Sequence, residues 1–234
     1  QKDFAGTILD IDYKTNEILL KRGIGSGILP ETLSIGPEKP RLNEKLFINT
    51  YNYIDNILEN KNSYSALNDF LNKEIPRIKN LKKGDKILNS NNFDVEIPKV
   101  ISNLDNSYLY IQGPPGTGKT YQAANTIIEL FKKRKKIAVT GLSHKVIHNL
   151  LETIEELADG KVIIKGYKAG DPEDDETVFD GKFIKTYKDE NRKSSKGEII
   201  KSVFKKALEE ENNGFIFAGT KFHLASSYYD QKID

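Results

Sequence analysis

The sequence predicts an α/β fold, a parallel sheet covered by helices and preceded by a small β-rich and helical region. Beyond about residue 95, short apolar runs alternate with amphipathic helical stretches, as in a parallel sheet whose strands are joined by helices. Ahead of that, two runs of alternating apolar and polar residues flank a polar turn, the mark of a hairpin. Between one apolar run and the next helical stretch lies a glycine-rich octapeptide, Gly113 to Thr120, placed where α/β folds hold phosphate groups.

Taken in order, Thr7 to Asp12 and Glu17 to Lys21 read as hairpin strands around Tyr13 to Asn16, and a Gly/Pro-rich connector follows from Gly23 to Pro40. Asn43 is placed to cap a helix reaching Leu58, and a second short helix spans Ser63 to Asn72. Gly84 to Phe93 is polar and loop-like, so the boundary between an accessory region (1–95) and the α/β region (96–234) is set near residue 95. Tyr108 to Ile111 is an apolar strand, and Gly118 to Phe131 is a helix burying Ala124, Ile127, Ile128 and Phe131. Lys136 to Thr140 is the next strand, followed by a helix with Ile147, Leu150, Leu151 and Ile154 on one face. Lys161 to Ile164 is a third strand, residues 167–195 are a polar insertion, Ser195 to Glu211 is a helix, and Gly214 to Ala218 is a fourth strand.

The octapeptide Gly113-Pro114-Pro115-Gly116-Thr117-Gly118-Lys119-Thr120 has the spacing of a phosphate-binding loop between a strand and a helix. Its glycines let backbone N–H groups curl around phosphate, and the helix N-terminus adds partial positive charge. Lys119 is the expected partner of the β- and γ-phosphates of ATP, Thr120 the expected ligand of Mg²⁺, and Tyr121 is expected among the nucleotide-binding residues with Gly113 to Thr120. Hydrolysis also needs a carboxylate at another strand end. The strand ends expected after the loop are Thr140-Gly141, Lys165-Gly166 and Gly219-Thr220, none of them acidic. Glu155 and Glu156 read as solvated residues of an amphipathic helix, as does the run Asp171 to Glu176 in its loop. The chain alone is expected to bind ATP and to turn it over poorly or not at all.

Composition narrows the field further. The 234 residues contain 37% hydrophobic and 30% charged residues with a net charge of +2, which describes a globular chain rather than a basic nucleic-acid arm. With no cysteine, disulfides, thiol nucleophiles and Cys-based metal sites are excluded. No apolar run reaches the roughly 18 residues of a membrane span, and the expected location is cytoplasmic. The absence of methionine suggests a piece of a longer protein. His144 and His148 are spaced like a helical zinc pair, but Lys145 stands where such a motif needs glutamate. Lys132 to Lys136 reads as a complement to a helix C-terminus.

Ile111 to Thr120, then Val139 to Lys145 with Asn149 to Leu151, then Ile216 to Thr220, resemble motifs I and Ia and the segment before motif II of superfamily 1 helicases. The likeness is to the RNA-decay-factor and Senataxin-like branch. Leu104 to Leu109 and Ser143 to Lys145 look most like bacterial helicases fused to a RecB-like nuclease domain. The resemblance implies most of a first RecA-like motor domain, ending before motif II. It also implies a second RecA-like domain, and a nuclease in some relatives, elsewhere in the intact protein. It makes Thr140, Ser143, His144 and Thr220 contacts to the backbone of single-stranded DNA or RNA. Leu142 and His144 depart from the Pro and Asn usual in motif Ia. The residues themselves leave two alternatives open: another P-loop ATPase or kinase, and a nucleotide-gated nucleic-acid-binding module without turnover.

Overall fold

The computed structural model describes residues 6–32, 44–171, 174–186, 213–225 and 233. The chain divides into two compact units, Gln1–Leu42 and Asn43–Asp234. In the first, β1 (Thr7–Asp12) pairs antiparallel with β2 (Glu17–Lys21), and the register shifts between Ile8 and Asp10. The turn closes because Asn16 accepts a φ of 59° and the Asp12 carboxylate takes the backbone N–H groups of Lys14 and Thr15 at 2.7 and 3.3 Å. Those same bonds hold the Asp12 carboxyl below the ordinary carboxylate range.

The second unit contains α1 (Glu44–Leu58), α2 (Ser65–Leu71), α3 (Phe93–Ser102), α4 (Lys119–Lys132), α5 (His144–Ala158) and α6 (Lys221–Leu224). Its sheet is formed by β3 (Lys136–Val139), β4 (Gly166–Lys168), β5 (Ile184–Thr186) and β6 (Phe215–Ala218). The strand order is β3-β6-β4-β5 and every pairing is parallel. The protein is thus a mixed α/β fold with a four-stranded parallel sheet among its described residues. Strand alternation divides β6 cleanly. Ile216 and Ala218 join Ala124, Ile127 and Ile128 of α4 and Ile147, Leu151 and Ile154 of α5 in one core. Phe217 turns the other way and stacks on Tyr167 of β4, ring centroids 5.9 Å apart.

Several expected elements move. The unit boundary falls after Leu42 rather than near residue 95, because a helix that the Asn-rich, Pro98-containing stretch concealed, α3, packs on α4. The Asp94 side chain accepts from Gln122 Nε2 at 2.6 Å, its carbonyl accepts from Asn125 Nδ2 at 2.7 Å, and α1 reaches forward through Asn49 Nδ2 to the Ala225 carbonyl at 2.9 Å. Tyr108 to Ile111 lies outside the sheet. Its apolar residues favour extended backbone, but a ladder forms only against a neighbouring edge, and Tyr108 instead packs edge-on to Phe70 and donates its hydroxyl to the Glu74 carbonyl at 2.8 Å.

The third strand is Gly166–Lys168, not Lys161 to Ile164. Its partner β6 begins at Phe215, and the first bond between them joins Ile216 N–H to the Lys165 carbonyl at 3.0 Å, so earlier residues have nothing to pair with. The stretch read as a polar insertion from residue 167 therefore contains the end of β4 and the whole of β5. Glu155 is not a solvated surface residue. Its carboxylate accepts the backbone N–H groups of Lys182, Phe183 and Ile184 at 2.8, 2.9 and 2.7 Å and so holds the start of β5. The expected Asn43 cap and the expected helix from Ser195 to Glu211 lie outside the described residues.

Candidate functional site

The glycine-rich loop leads directly into α4, with Gly118 at its N-cap. Gly116 and Gly118 take φ values of 81° and 78°, a left-handed backbone that a side chain would strain. A Cβ on Gly113 would stand 2.6 Å from the Thr117 hydroxyl. The left-handed backbone at Gly116 and Gly118 thus favours glycine, and the loop's N–H groups lie at the N-terminus of a helix of 14 residues. The Lys119 ammonium donates to the carbonyls of Gly113 and Pro114, each at 2.6 Å, and lies 3.5 Å from Thr117 Oγ1. The Thr117 hydroxyl in turn donates to the Pro114 carbonyl at 2.9 Å. Pro115 and Thr120 are exposed on the same loop and first helical turn. This donor set, a lysine and successive amides with a hydroxyl beside them, fits the phosphate groups of a nucleotide.

The Tyr121 hydroxyl lies 3.4 Å from Asp94 Oδ2, on the side of α4 that packs against α3. Asp94 is a residue that sequence reasoning missed; the signal was its place in the first turn of a short periodic stretch, Val95, Ile97, Val100 and Ile101. It braces the helix that carries the loop and stands on no strand end.

A short turn through Arg134, at φ 63°, returns α4 into β3, so helix and strand run antiparallel. The N-terminus of α4 consequently points toward the carboxyl end of β3, where ligands of open parallel sheets bind. Thr140 follows β3 there and is exposed. Ser143 is the N-cap of α5, its hydroxyl accepting from Val146 N–H at 3.3 Å, which leaves its own O–H proton available to an acceptor. Thr220, at the start of α6, lies 3.0 Å through Oγ1 from His223 Nδ1. His223 is edge-on to His144 with ring centroids 6.3 Å apart, and His144 is 6.2 Å from His148. The three histidines of the chain thus meet at the carboxyl ends of β4 and β6.

Beneath them lies Lys168, wholly buried at the end of β4. Its ammonium contacts the carbonyls of Ala169 and Thr177 at 2.7 Å and His144 Nδ1 at 2.8 Å. Burial pushes its pKa down to about 8. Burial and then the Lys168 charge lower the His144 pKa, against an opposing pull from Asp174, and burial, Lys168 and His144 lower that of His148. Both imidazoles are accordingly neutral near pH 7. Sequence reasoning missed Lys168 because a lysine between two apparently loop-like stretches carries no mark of burial.

The lowered Lys168 pKa makes a prediction. The unfolded chain binds the proton more tightly than the folded one, so stability rises as pH increases from about 8 toward the ordinary lysine value of 10.5. Thermal melts of the parent are expected to show this rise, and melts of Lys168→Met to lose it; identical profiles would show that burial does not lower the pKa.

No family model matches this chain, and no curated protein or solved structure matches it.

Proposed function

We propose that this chain is the ATP-binding part of a RecA-like motor that acts on single-stranded DNA or RNA. The observation that carries the reading is the cradle of Gly113, Gly116 and Gly118 at the N-terminus of α4, with the Lys119 ammonium folded across it. In this reading the loop amides and Lys119 hold the phosphates, and Thr120 supplies a hydroxyl to Mg²⁺. Bound Mg-ATP supplies the anhydride whose cleavage drives movement in the intact protein, where the resemblance to superfamily 1 helicases puts a second RecA-like domain. Thr140, Ser143, His144 and Thr220 offer hydroxyl, imidazole and helix N-terminal donors at the strand ends, a set suited to phosphodiester groups and indifferent to base identity.

The direct test is titration with a fluorescent ATP analogue and Mg²⁺, followed by oligonucleotides. The expected results are saturable nucleotide binding and an affinity for single strands that varies little with sequence. The double variant Ser143→Ala, Thr220→Ala removes two donors at roughly 1 kcal/mol each, so strand affinity is expected to fall about 10- to 30-fold across all sequences alike. Unchanged affinity would remove these residues from the interface. Nucleotide binding by a parent that holds no oligonucleotide would favour the P-loop ATPase or kinase alternative.

A further inference from the structure

Lys168 is a buried cation whose three N–H bonds are all accounted for by three neighbours, and those neighbours are not equivalent. Two of them, the carbonyls of Ala169 and Thr177, can only accept. The third, His144 Nδ1, accepts or donates according to the tautomer of the ring. While Lys168 is an ammonium, its third proton goes to Nδ1, and the imidazole must carry its own proton on Nε2. If Lys168 is a neutral amine, its two N–H groups stay on the carbonyls and its lone pair accepts a hydrogen bond from Nδ1–H, so the single ring proton sits on Nδ1 and Nε2 is a bare acceptor. Nε2 has no hydrogen-bond partner among the described residues, and the ring stands half-buried at the N-terminus of α5 beside the Ser143 cap.

We propose that Lys168 is a positioning residue that holds His144 in the Nε2–H tautomer and thereby makes it a hydrogen-bond donor to the phosphodiester backbone of a single strand. The strand-facing half of this inference rests on the proposed function; the tautomeric half does not. The device is built into the fold at two points. Lys168 is fixed by the β4 ladder. The Thr177 carbonyl is brought to it by a loop that Thr177 itself ties, its hydroxyl donating to the carbonyls of Asp171 and Asp174 and accepting from Asp171 N–H at 2.7 Å. The approach depends on Gly170, where a Cβ would meet the Thr177 carbonyl oxygen at 2.4 Å.

Among the described residues, the titratable groups seen to act on or stand beside His144 are Lys168 itself, His148 from α5, Asp174 from the loop and His223 from α6. Both α5 imidazoles are held neutral, and Asp174 acts in the opposite direction on His144. Proton loss near pH 8 therefore belongs to Lys168, and it converts the outward nitrogen of His144 from donor to acceptor. An acceptor facing a phosphate oxygen repels it, so strand binding is expected to weaken through that pH while a hydroxyl contact such as Thr220 is unaffected.

The test is imidazole nitrogen NMR on the whole chain, in which three histidines give three ring patterns. Near pH 7 the parent is expected to show a pyridine-type Nδ1 and a protonated Nε2 for His144, changing to the opposite tautomer at about pH 9.5, above the Lys168 value. Lys168→Met is expected to give a tautomer mixture that no longer changes over this range. A protonated Nδ1 in the parent near pH 7, or no change by pH 9.5, overturns the proposal without reference to any variant or ligand. Binding of a fluorescent oligothymidylate is expected to fall about 3- to 10-fold in Lys168→Met, with little further loss when His144→Ala is added, since both act through one donor. Additive losses overturn the coupling. A parent with the expected tautomer that binds no oligonucleotide overturns the strand-binding reading and the donor role with it, and leaves the tautomer assignment standing on the spectra.

Discussion

Lys119→Ala is expected to abolish Mg-nucleotide binding while leaving the fold intact. The ammonium makes two bonds to the loop carbonyls of Gly113 and Pro114 and is exposed, so its loss changes stability by no more than about 0.5 kcal/mol. Toward a polyphosphate the same group makes charge-assisted bonds worth about 1.5–3 kcal/mol each. Losing two of them lowers affinity at least about 100-fold. Titration with a fluorescent ATP analogue measures the loss, and thermal unfolding without ligand checks the fold. A variant that binds like the parent would remove the phosphate loop from nucleotide binding altogether.

Glu155→Ala is expected to destabilise the protein by about 2–4 kcal/mol, more than any other single loss of a charged side chain on α5. One carboxylate takes three consecutive backbone N–H groups, from Lys182, Phe183 and Ile184, where the chain enters the edge strand β5. Ile184 is fully buried, and loss of the carboxylate leaves its N–H without its acceptor. Gly181 lets this approach happen, because a Cβ there would stand 2.5 Å from Glu155 Oε1. Glu155→Gln keeps one acceptor oxygen and is expected to lose about half as much. Glu156→Ala, an exposed neighbour, is expected to change stability by less than about 0.5 kcal/mol. Equal effects from the two alanine variants in urea unfolding would count against the assigned role of Glu155. The exposed Lys182–Asp159 pair beside it contributes little, as solvent-screened pairs do.

The elements that could be read from the chain are those whose signal is local and repeated. The hairpin, α4, β3 and β6 appear within a residue or two of where periodicity and turn residues put them, and α5 turns the expected Ile147, Leu150, Leu151 and Ile154 to the core. Strands of three residues, such as β4 and β5, are too short for any period to be detected. Where they lie was decided by the ends of their partners: β4 starts level with the beginning of β6, and β5 starts where Glu155 anchors it. Tyr108 to Ile111 had the composition of a strand and no partner edge among the described residues.

The candidate site divides in the same way. By itself the sequence determined the glycine-rich octapeptide and the helix that follows it, because its spacing of glycines, lysine and threonine is a contiguous local pattern. It also determined which hydroxyls follow the strands, Thr140 and Thr220, since each lies just beyond an apolar run. Only the tertiary structure decided that the three histidines meet, that Glu155 faces a backbone rather than water, and that Lys168 is buried beneath His144. Burial and hydrogen-bond partnership are properties of residues 24 to 79 positions apart in the chain, brought together by parallel strand pairing. No local pattern encodes that pairing, because the registers of β4, β5 and β6 are set by one another.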